Sequence, residues 1–218
     1  MNDTPWRCER ARAVFAGAGL ARLEDLADCR RGELVTTART RWLRRFELGG
    51  TVWYLKVQDL RRTRPRLHKW PGYLARGLPV WREARSLDRL RRLGVRTPEV
   101  AAAGQLRLLW RPRLAVLLTA EVPGHVDLVT FLRAEPSAAA ARAAMDAAEA
   151  LVASLHDLGL VLLGAKYRNL LVPRAGTGDP AAIVVLDQPD LRASCSRRLR
   201  TKDRALLALD RARHGGGC

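Results

Sequence analysis

Residues 155–172 of this 218-residue chain read Leu-His-Asp-Leu-Gly-Leu-Val-Leu-Leu-Gly-Ala-Lys-Tyr-Arg-Asn-Leu-Leu-Val. The apolar run at 160–163 predicts a short buried strand, because turn-forming residues bound it. The polar residues after it, which include Lys166 and Asn169, then fall on a loop at the end of that strand. Loops held by buried strands are where proteins place many binding and catalytic side chains.

Two further apolar runs follow at 170–172 and 182–186, with the turn-rich sequence Pro-Arg-Ala-Gly-Thr-Gly-Asp-Pro between them. The second run ends at Asp187, so this carboxylate also follows a predicted buried strand. We expect Lys166, Asn169 and Asp187 to point into one cleft. A cation, an amide and a carboxylate together suit the phosphate chemistry of a magnesium-bound nucleotide.

The same stretch resembles the catalytic-loop segment of eukaryotic-like kinases, in which the pattern H-R-D-x-x-x-x-N precedes a strand. On that pattern residues 162–164 occupy the H-R-D positions, and Asn169 is a magnesium ligand. Asp187 stands where the Asp of D-F-G holds magnesium. The resemblance implies that Gly164 replaces the catalytic Asp, which accepts the proton of the attacking hydroxyl. Lys166 could help to neutralise the transferred phosphate.

Residues 41–57 carry the signature of a β-hairpin. Gly49 and Gly50 supply the positive φ angles that a tight two-residue turn requires. In the second predicted strand Lys56 shares a face with Tyr54. A lysine in this place is similar to the Val-Ala-Ile-Lys lysine of kinases, although a lysine whose stem covers apolar surface is also common.

A helix is predicted from Pro79 to about Leu93, because Pro favours the first turn of a helix and Gly94 favours its end. Glu83 falls on the inward face of this helix together with two leucines, where an unpaired charge is costly. One candidate partner is Lys56, since a strand Lys and a helix Glu form an ion pair in kinases. The other is a neighbouring arginine on the helix surface.

Two strands are predicted after this helix, at 100–109 and 114–122, and the second ends at the dipeptide 123–124. On the kinase resemblance these strands lead to the hinge between lobes. Glu121 and Val122 would then flank the adenine of the nucleotide.

A short helix is predicted to begin near Val126, and Ser137 is a suitable N-cap for the long helix that follows. An apolar stripe along that long helix predicts a core helix, and its members are Met145, Ala148, Val152, Leu155 and Gly159. His156, at the end of the helix, is interpreted as a structural histidine.

The chain is strongly basic, with a net charge of +17 and a pI near 11.3. Such a charge attracts anionic partners, which include nucleic acids, acidic lipids and phosphorylated sugars. Only four of the 39 basic residues are lysines, and this arginine-rich composition is also what coding bias would produce. The basic connector at 60–78 is too rich in Pro and charge for a long regular element, and is interpreted as a solvated loop rather than a phosphate or lipid-headgroup site.

Several classes of protein are disfavoured by what the sequence lacks. Its four cysteines form no C-x-x-C pair, so a zinc site is not expected and reduced thiols are. The N-terminus has no signal-peptide pattern, and no apolar run is long enough to span a bilayer. No helix-turn-helix, zinc-finger or RNA-binding signature accompanies the charge, so a nucleic-acid-binding module ranks last among the functions considered.

Three longer segments resemble the bacterial lipopolysaccharide core (Kdo/heptose) kinase family. They read T-R-x-L-R-R-F-E-L-G-G-T-V-W-Y-L-K, R-E-A-R-S-L-x-x-L-x-x-L-G-V-x-T-P and T-A-E-V-P-G, and a basic tail follows them. The resemblance covers residues 35–210. It implies a two-lobed, protein-kinase-like α+β fold with a reduced helical C-lobe. The expected divisions are a helical extension at 1–33, an N-lobe at 34–122 and a C-lobe at 123–218 that ends in a basic helix.

The family resemblance implies an ATP- and magnesium-dependent kinase that phosphorylates a sugar hydroxyl of the lipopolysaccharide inner core. Lys56 and Glu83 would hold the nucleotide phosphates. The expected location is cytoplasmic, with peripheral contact at the inner face of the cytoplasmic membrane. Transfer would be slow, because a positioned general base contributes about 10² to 10⁴ in rate, unless Asp190 stands in for Gly164. The alternative is a pseudokinase that binds nucleotide or a partner without transfer.

Overall fold

The computed structural model describes residues 6–61, 67–188 and 190–215. The chain forms two compact units, of which the first holds residues up to Asp88 together with Pro98–Glu121. The second holds Arg89–Thr97 and the residues from Val122 onward. A sheet dominates the first unit and helices dominate the second. The α+β class and the helical character of the C-terminal part therefore follow the prediction.

A five-stranded antiparallel sheet, in the order β1-β2-β3-β5-β4, forms the centre of the first unit. Its strands are β1 (Glu33–Ala38), β2 (Arg41–Leu48), β3 (Thr51–Asp59), β4 (Val100–Leu108) and β5 (Arg111–Ala120). The β2–β3 hairpin turns at Gly49 and Gly50, whose φ angles are 61° and 70°. These are the left-handed values that a two-residue hairpin needs and that glycine adopts without strain.

Two N-terminal helices, α1 (Glu9–Gly17) and α2 (Leu23–Asp28), cover one face of this sheet. Phe15 on α1 is fully buried, and its ring lies 5.3 Å from that of Trp53 and 6.0 Å from that of Phe46. Leu26 on α2 is also fully buried. Aromatic contacts of this kind add to the free energy of apolar burial. Within the described part of residues 1–33, two helices thus pack on the sheet of the first unit.

The helices α3 (Trp70–Arg76) and α4 (Pro79–Arg92) follow β3 in the chain. A cluster of buried residues joins Leu78 and Leu87 to Ala115 and Leu117 of β5. The predicted connector at 60–78 thus contains a short helix, α3, after a single 3-10 turn, and residues 62–66 lie outside the described ranges.

The second unit is built on α5 (Leu128–Arg133), α6 (Ala138–Asp157) and α7 (Arg197–His214). The Ser137 hydroxyl accepts a hydrogen bond of 3.2 Å from the Ala140 N–H, which is the predicted N-cap of α6. The predicted stripe of α6 is in the core, where Met145, Ala148 and Leu155 are all buried. In the ranges that the structure describes, no helix has the length and apolar character needed to cross a bilayer.

Short strands complete the second unit. β6 (His125–Asp127), β8 (Leu170–Pro173) and β9 (Val184–Val185) form one antiparallel sheet, and β7 (Leu160–Val161) pairs with β10 (Arg192–Ala193). The helix predicted near Val126 was placed too early, because Val126 pairs with Val172 and the helix begins only after Asp127 caps it by accepting from the Thr130 N–H at 3.0 Å. The strand predicted at 160–163 ends early, since Leu163 has a φ of 56°.

Candidate active site

An ion pair between Lys56 on β3 and Glu83 on α4 is the most complete part of the candidate site. The Lys56 Nζ lies 2.7 Å from each of the two carboxylate oxygens of Glu83. Glu83 is only 5% exposed. A buried carboxylate is tolerated when a cation and hydrogen bonds satisfy it. The sequence left two candidate partners for Glu83, Lys56 and a neighbouring arginine. The structure shows that Lys56 contacts Glu83.

Strand and helix periodicity place these two groups. Alternation along β3 buries Trp53, Leu55 and Val57 under the N-terminal helices, so Lys56 extends from the opposite face. Lys56 is paired across the sheet with Leu117, which lies in the core cluster that α4 completes. The turn-by-turn spacing of α4 then directs Glu83 to the same face as the buried Leu87. The lysine stem is therefore fixed by packing and its ammonium by the carboxylate.

Glu121, which was predicted to flank the adenine, lies just after β5. Its carboxylate accepts from the Arg45 side chain at 3.0 and 3.2 Å and from the Tyr54 hydroxyl at 3.2 Å. Burial raises the pKa of Tyr54, and the hydrogen bond to Glu121 raises the pKa of Arg45. The Glu121 N–H donates to the Val52 carbonyl at 2.8 Å. Its side chain and its N–H are thus engaged within the first unit.

Val122 begins the second unit, and its carbonyl accepts from the His125 N–H at 3.3 Å. No nucleotide contact of Glu121 or Val122 follows from these bonds, so their role beside the adenine stays a prediction.

The predicted catalytic loop runs from Leu162 to Asn169 in the second unit. Leu163 has a φ of 56°, which is rare for a bulky residue and concentrates at functional sites. Gly164 follows, and a Cβ atom added there would meet nothing within 4 Å. The Asn169 amide Nδ2 donates to the Gly164 carbonyl at 3.3 Å and closes the loop on itself. The loop therefore has room for a side chain at position 164 and holds none.

Asp203 on α7 anchors the start of this loop. It is completely buried, and it accepts from the Leu162 N–H at 2.7 Å and from the His156 Nε2 at 3.2 Å. A carboxylate that accepts a backbone N–H forms a charge-assisted bond, which is stronger than a bond between neutral groups. His156 is also completely buried, and its contact with Asp203 agrees with the structural role predicted for it.

A second carboxylate of α7 supports the other end of the loop. Asp210 accepts from the Tyr167 N–H at 2.9 Å. Tyr167 is fully buried, and burial raises its pKa above the ordinary value for tyrosine. Arg211, the next residue, bonds to Asp146 at 2.8 Å and to Glu149 at 3.0 Å, both on α6. α7 is thus tied both to the loop and to α6.

Asp187 lies at the end of the β8–β9 ladder, beside the loop. The ladder pairs Leu170 with Val185, and the Leu186 N–H donates to the Asn169 carbonyl at 2.8 Å. Asn169 and Asp187 are therefore at the same end of one ladder. Asp187 is exposed and has a φ of 44°, a second left-handed residue that is not glycine. Lys166, also predicted here, is half-buried in the same loop.

The donor atoms of Asn169 and Asp187 fit a magnesium ion that is shared with phosphates. Because the Asn169 Nδ2 donates to Gly164, its amide oxygen is left as the atom that could bind a cation. Magnesium takes one or two protein oxygens and completes its shell with phosphates and water. Among the described residues, no cluster of three or more His, Cys, Asp or Glu side chains could hold a metal on its own.

Asp203 and Asp210 were missed in the sequence, although a signal for them exists. They are the only carboxylates after Asp190 in a tail rich in arginine, and a spacing of seven puts them on one helix face. Acids on one face of an otherwise basic helix indicate buried partners.

A cavity of about 950 Å³ opens between α6 and α7, away from the predicted catalytic residues. Met145, Val152 and Leu207 are among its apolar lining residues, and Arg142 and Arg204 are among its charged ones. None of the site residues predicted from the sequence lines it.

Kinases use a strand lysine paired with a helix glutamate, and an asparagine and an aspartate as magnesium ligands. The structure has residues of these types at the predicted positions, and their roles stay predictions. The class that the fold defines is the protein-kinase-like class, as predicted. A family model described as the lipopolysaccharide kinase (Kdo/WaaP) family matches residues 29–213. The chain therefore belongs to the lipopolysaccharide kinase (Kdo/WaaP) family.

A solved structure, described as WaaP in complex with acyl carrier protein, is similar to this chain with a TM-score of 0.61. The two sequences are 21% identical, and the match covers 83% of this chain and 70% of that one. At this identity the likeness supports the fold. No curated protein matches the sequence.

Proposed function

We propose that this protein uses ATP and magnesium to phosphorylate a sugar hydroxyl of the lipopolysaccharide inner core, at a slow rate. The observation that carries the proposal is the ion pair of Lys56 with the buried Glu83, at 2.7 Å to both carboxylate oxygens. This pair occurs in a chain that belongs to a family of lipopolysaccharide kinases. Family membership supports phosphoryl transfer, and the pair supports binding of the nucleotide phosphates.

Lys56 would contact the phosphates of ATP. Two hydrogen bonds from Glu83 hold the ammonium group in place, so little reorganisation is needed when an anion binds. Catalysis of phosphoryl transfer is mostly positioning and neutralisation of charge. The adenine would lie against the backbone of Glu121 and Val122. The Glu121 N–H and the Val122 carbonyl already form hydrogen bonds within the protein, so other backbone groups there would contact the adenine.

Asn169 and Asp187 would hold the magnesium ion. The ion supplies charge that offsets the negative oxygens of the transferred group. Asn169 would contribute its amide oxygen, whose orientation is fixed by the bond from Nδ2 to Gly164. Asp187 would contribute a carboxylate from a residue held at a φ of 44°, a left-handed conformation that Asp tolerates better than most residues do.

The slow rate follows from Gly164, because no side chain at this position can accept the proton of the acceptor hydroxyl. A positioned general base contributes about 10² to 10⁴ in rate. Lys166 would still help to neutralise the transferred phosphoryl group. Positioning and charge alone would then set the rate of transfer.

The acceptor would be reached at the inner face of the cytoplasmic membrane. The net charge of +17 favours an anionic glycolipid as partner. The protein would thus be cytoplasmic, with peripheral contact to the membrane.

The first test measures unfolding with ATP and magnesium, with ATP and a chelator, and without nucleotide. A ligand at about 100 times its dissociation constant stabilises by roughly 2.7 kcal/mol. For a chain of this length that raises the unfolding midpoint by about 5 to 10 °C. We expect Asp187→Asn to remove the magnesium-dependent part of the rise. Asp157→Asn, which changes an exposed carboxylate at the end of α6, should leave it unchanged.

Incorporation of phosphate into purified inner-core lipopolysaccharide is then measured with the same variants. Slow transfer that requires magnesium and Asp187 supports the proposal, whereas a midpoint that no nucleotide moves contradicts it.

The second candidate function is that of a pseudokinase, which binds nucleotide without transferring phosphate. The observation that favours it is the lack of a side chain at Gly164. Nucleotide-dependent stabilisation together with no detectable transfer would support this function over the first.

A further inference from the structure

The turn between β4 and β5 exposes three large apolar side chains in succession. Leu108, Leu109 and Trp110 are 63%, 86% and 55% exposed. We call residues 107–111 the hairpin tip. Single exposed apolar residues are common, whereas neighbouring exposed apolar residues can form the kind of patch that is found at interaction sites.

The residue choice at this turn works against stability. Leu108 pairs with Arg111, so Leu109 and Trp110 are the two turn residues, and Leu109 has a φ of 56°. Two-residue turns favour Gly, Asn or Asp because those residues tolerate positive φ. A leucine there is strained and also leaves its side chain in water. The chain therefore keeps an apolar group at a place where a polar residue would fold better.

Basic groups surround the hairpin tip. Arg107 and Arg111 are both exposed, and the Arg111 guanidinium lies 4.8 Å from the ring centre of Trp110 and 5.9 Å from that of Trp70 on α3. Lys69, which precedes Trp70, is exposed as well. No Asp or Glu occurs at 60–82 or at 100–120, so the sequence around the tip carries cations without intervening carboxylates.

From these observations we infer that the hairpin tip inserts into the surface of an anionic lipid bilayer. Leucine side chains gain free energy by entering the acyl region, and tryptophan favours the boundary between headgroups and acyl chains. Arginines beside them pair with anionic headgroups. The choice of a membrane rests on the proposed lipopolysaccharide acceptor as well as on this charge, but lipid binding requires neither nucleotide nor phosphoryl transfer.

The test is co-sedimentation of the full chain with vesicles, without nucleotide or lipopolysaccharide. Vesicles of phosphatidylcholine containing phosphatidylglycerol are compared with vesicles of phosphatidylcholine alone. We expect binding to the anionic vesicles that weakens as salt rises, since salt screens the arginine contribution. This assay does not measure phosphoryl transfer, so a failure to bind vesicles would not contradict the proposed kinase activity, which is tested separately.

Leu109→Asn is the decisive variant. Asparagine accepts a positive φ, so the unfolding midpoint should equal or exceed that of the wild type, while vesicle binding falls about tenfold or more. Arg107→Gln should weaken binding about fivefold at low salt. The matched control is Leu158→Asn, since Leu158 is a leucine that is 56% exposed at the end of α6. Its binding should equal that of the wild type.

Three results would overturn the inference. The wild type could fail to sediment with the anionic vesicles, or Leu109→Asn could bind as well as the wild type does. The third is a dimer that Leu109→Asn dissociates, in a protein that binds no vesicles, because the tip would then be a contact between two copies of the chain.

Discussion

Two regions that carry the predicted kinase chemistry differ in completeness. Lys56 and Glu83 contact each other through two hydrogen bonds of 2.7 Å, and the carboxylate is 5% exposed. In the catalytic loop, by contrast, Gly164 leaves open space where a side chain would fit. On the proposed function, the first region would bind the nucleotide phosphates, whereas the side chain that Gly164 lacks would serve proton transfer. Nucleotide binding and phosphoryl transfer would then be separable by experiment.

The loop is nevertheless well supported. Leu162 and Tyr167 donate their N–H groups to Asp203 and Asp210, and Asn169 bonds to Gly164. One of these carboxylates is buried and the other half-buried, and both satisfy backbone donors of the loop. The loop therefore has a defined conformation, which a substitution at position 164 can test.

The largest expected effect comes from filling position 164. Gly164→Asp should raise the rate of phosphoryl transfer by about 10² to 10⁴, because it supplies the general base. The substitution should fold, since no atom lies within 4 Å of the added Cβ. Gly17→Asp, at a glycine that is equally free of neighbours, should leave the rate unchanged. An unchanged rate in Gly164→Asp, with ATP still bound, would contradict the assignment of this position.

Loss of the loop anchor should have the next largest effect. Asp203→Ala leaves the Leu162 N–H and the His156 ring without their acceptor, which should cost about 2 to 4 kcal/mol of unfolding free energy. Denaturant titration measures this cost. Asp157→Ala, which removes an exposed carboxylate of α6, should change the free energy far less. Equal effects of the two variants would show that Asp203 does not anchor the loop.

Glu83→Gln tests the ion pair between Lys56 and Glu83. The substitution keeps the shape of the side chain but removes the charge that holds the Lys56 ammonium. We expect the affinity for ATP to fall roughly tenfold, or about 1.4 kcal/mol, as measured by calorimetry. Glu99→Gln, at an exposed carboxylate of the same unit, is the matched control. If the Glu83→Gln variant binds ATP as tightly as the wild type does, the position of Lys56 depends on its packing alone.

The smallest effect concerns the pH dependence of stability. Burial raises the pKa of Tyr167 in the folded chain, so the folded state binds the phenolic proton more tightly than the unfolded state does. Stability from this group is present below the unfolded pKa of about 10 and is lost as pH rises above it. Tyr167→Phe should flatten the decline of unfolding free energy above about pH 10. If the unfolding free energy of Tyr167→Phe declines as steeply as that of the wild type, a group other than Tyr167 causes the decline.

The sequence predicted the fold best where turn residues and the periodicity of apolar positions agree with the packing. Gly49 and Gly50 determine a hairpin, and the period of α4 places Glu83 inward. Spacing alone left a neighbouring arginine as a possible partner of Glu83, and the kinase resemblance is what favoured Lys56. The predicted strand ends singled out Asn169 and Asp187, and the ladder of β8 and β9 brings both to one end. The magnesium role that the kinase resemblance implies for them stays a prediction.

What could not be predicted depends on distant contacts. The spacing of Asp203 and Asp210 signals buried partners but does not name them. Asp203 accepts from a backbone group of Leu162, and a backbone group leaves no trace in the sequence of the loop. The early end of the strand predicted at 160–163 depends on the left-handed conformation of Leu163, which a leucine gives no reason to expect. Docking of the N-terminal helices likewise depends on the match between Phe15 and the aromatic residues of the sheet.

The bond between Leu162 and Asp203 joins residues that are 41 positions apart in the chain. During synthesis the ribosome completes the loop well before α7 emerges, so the loop has no acceptor for this N–H until the later helix has left the exit tunnel. Domains begin to fold as they are synthesised. A nascent chain that already contains every predicted site residue would therefore still lack Asp203 and Asp210, the two acceptors that hold this loop. On the proposed function, organisation of the loop for phosphoryl transfer would wait for α7.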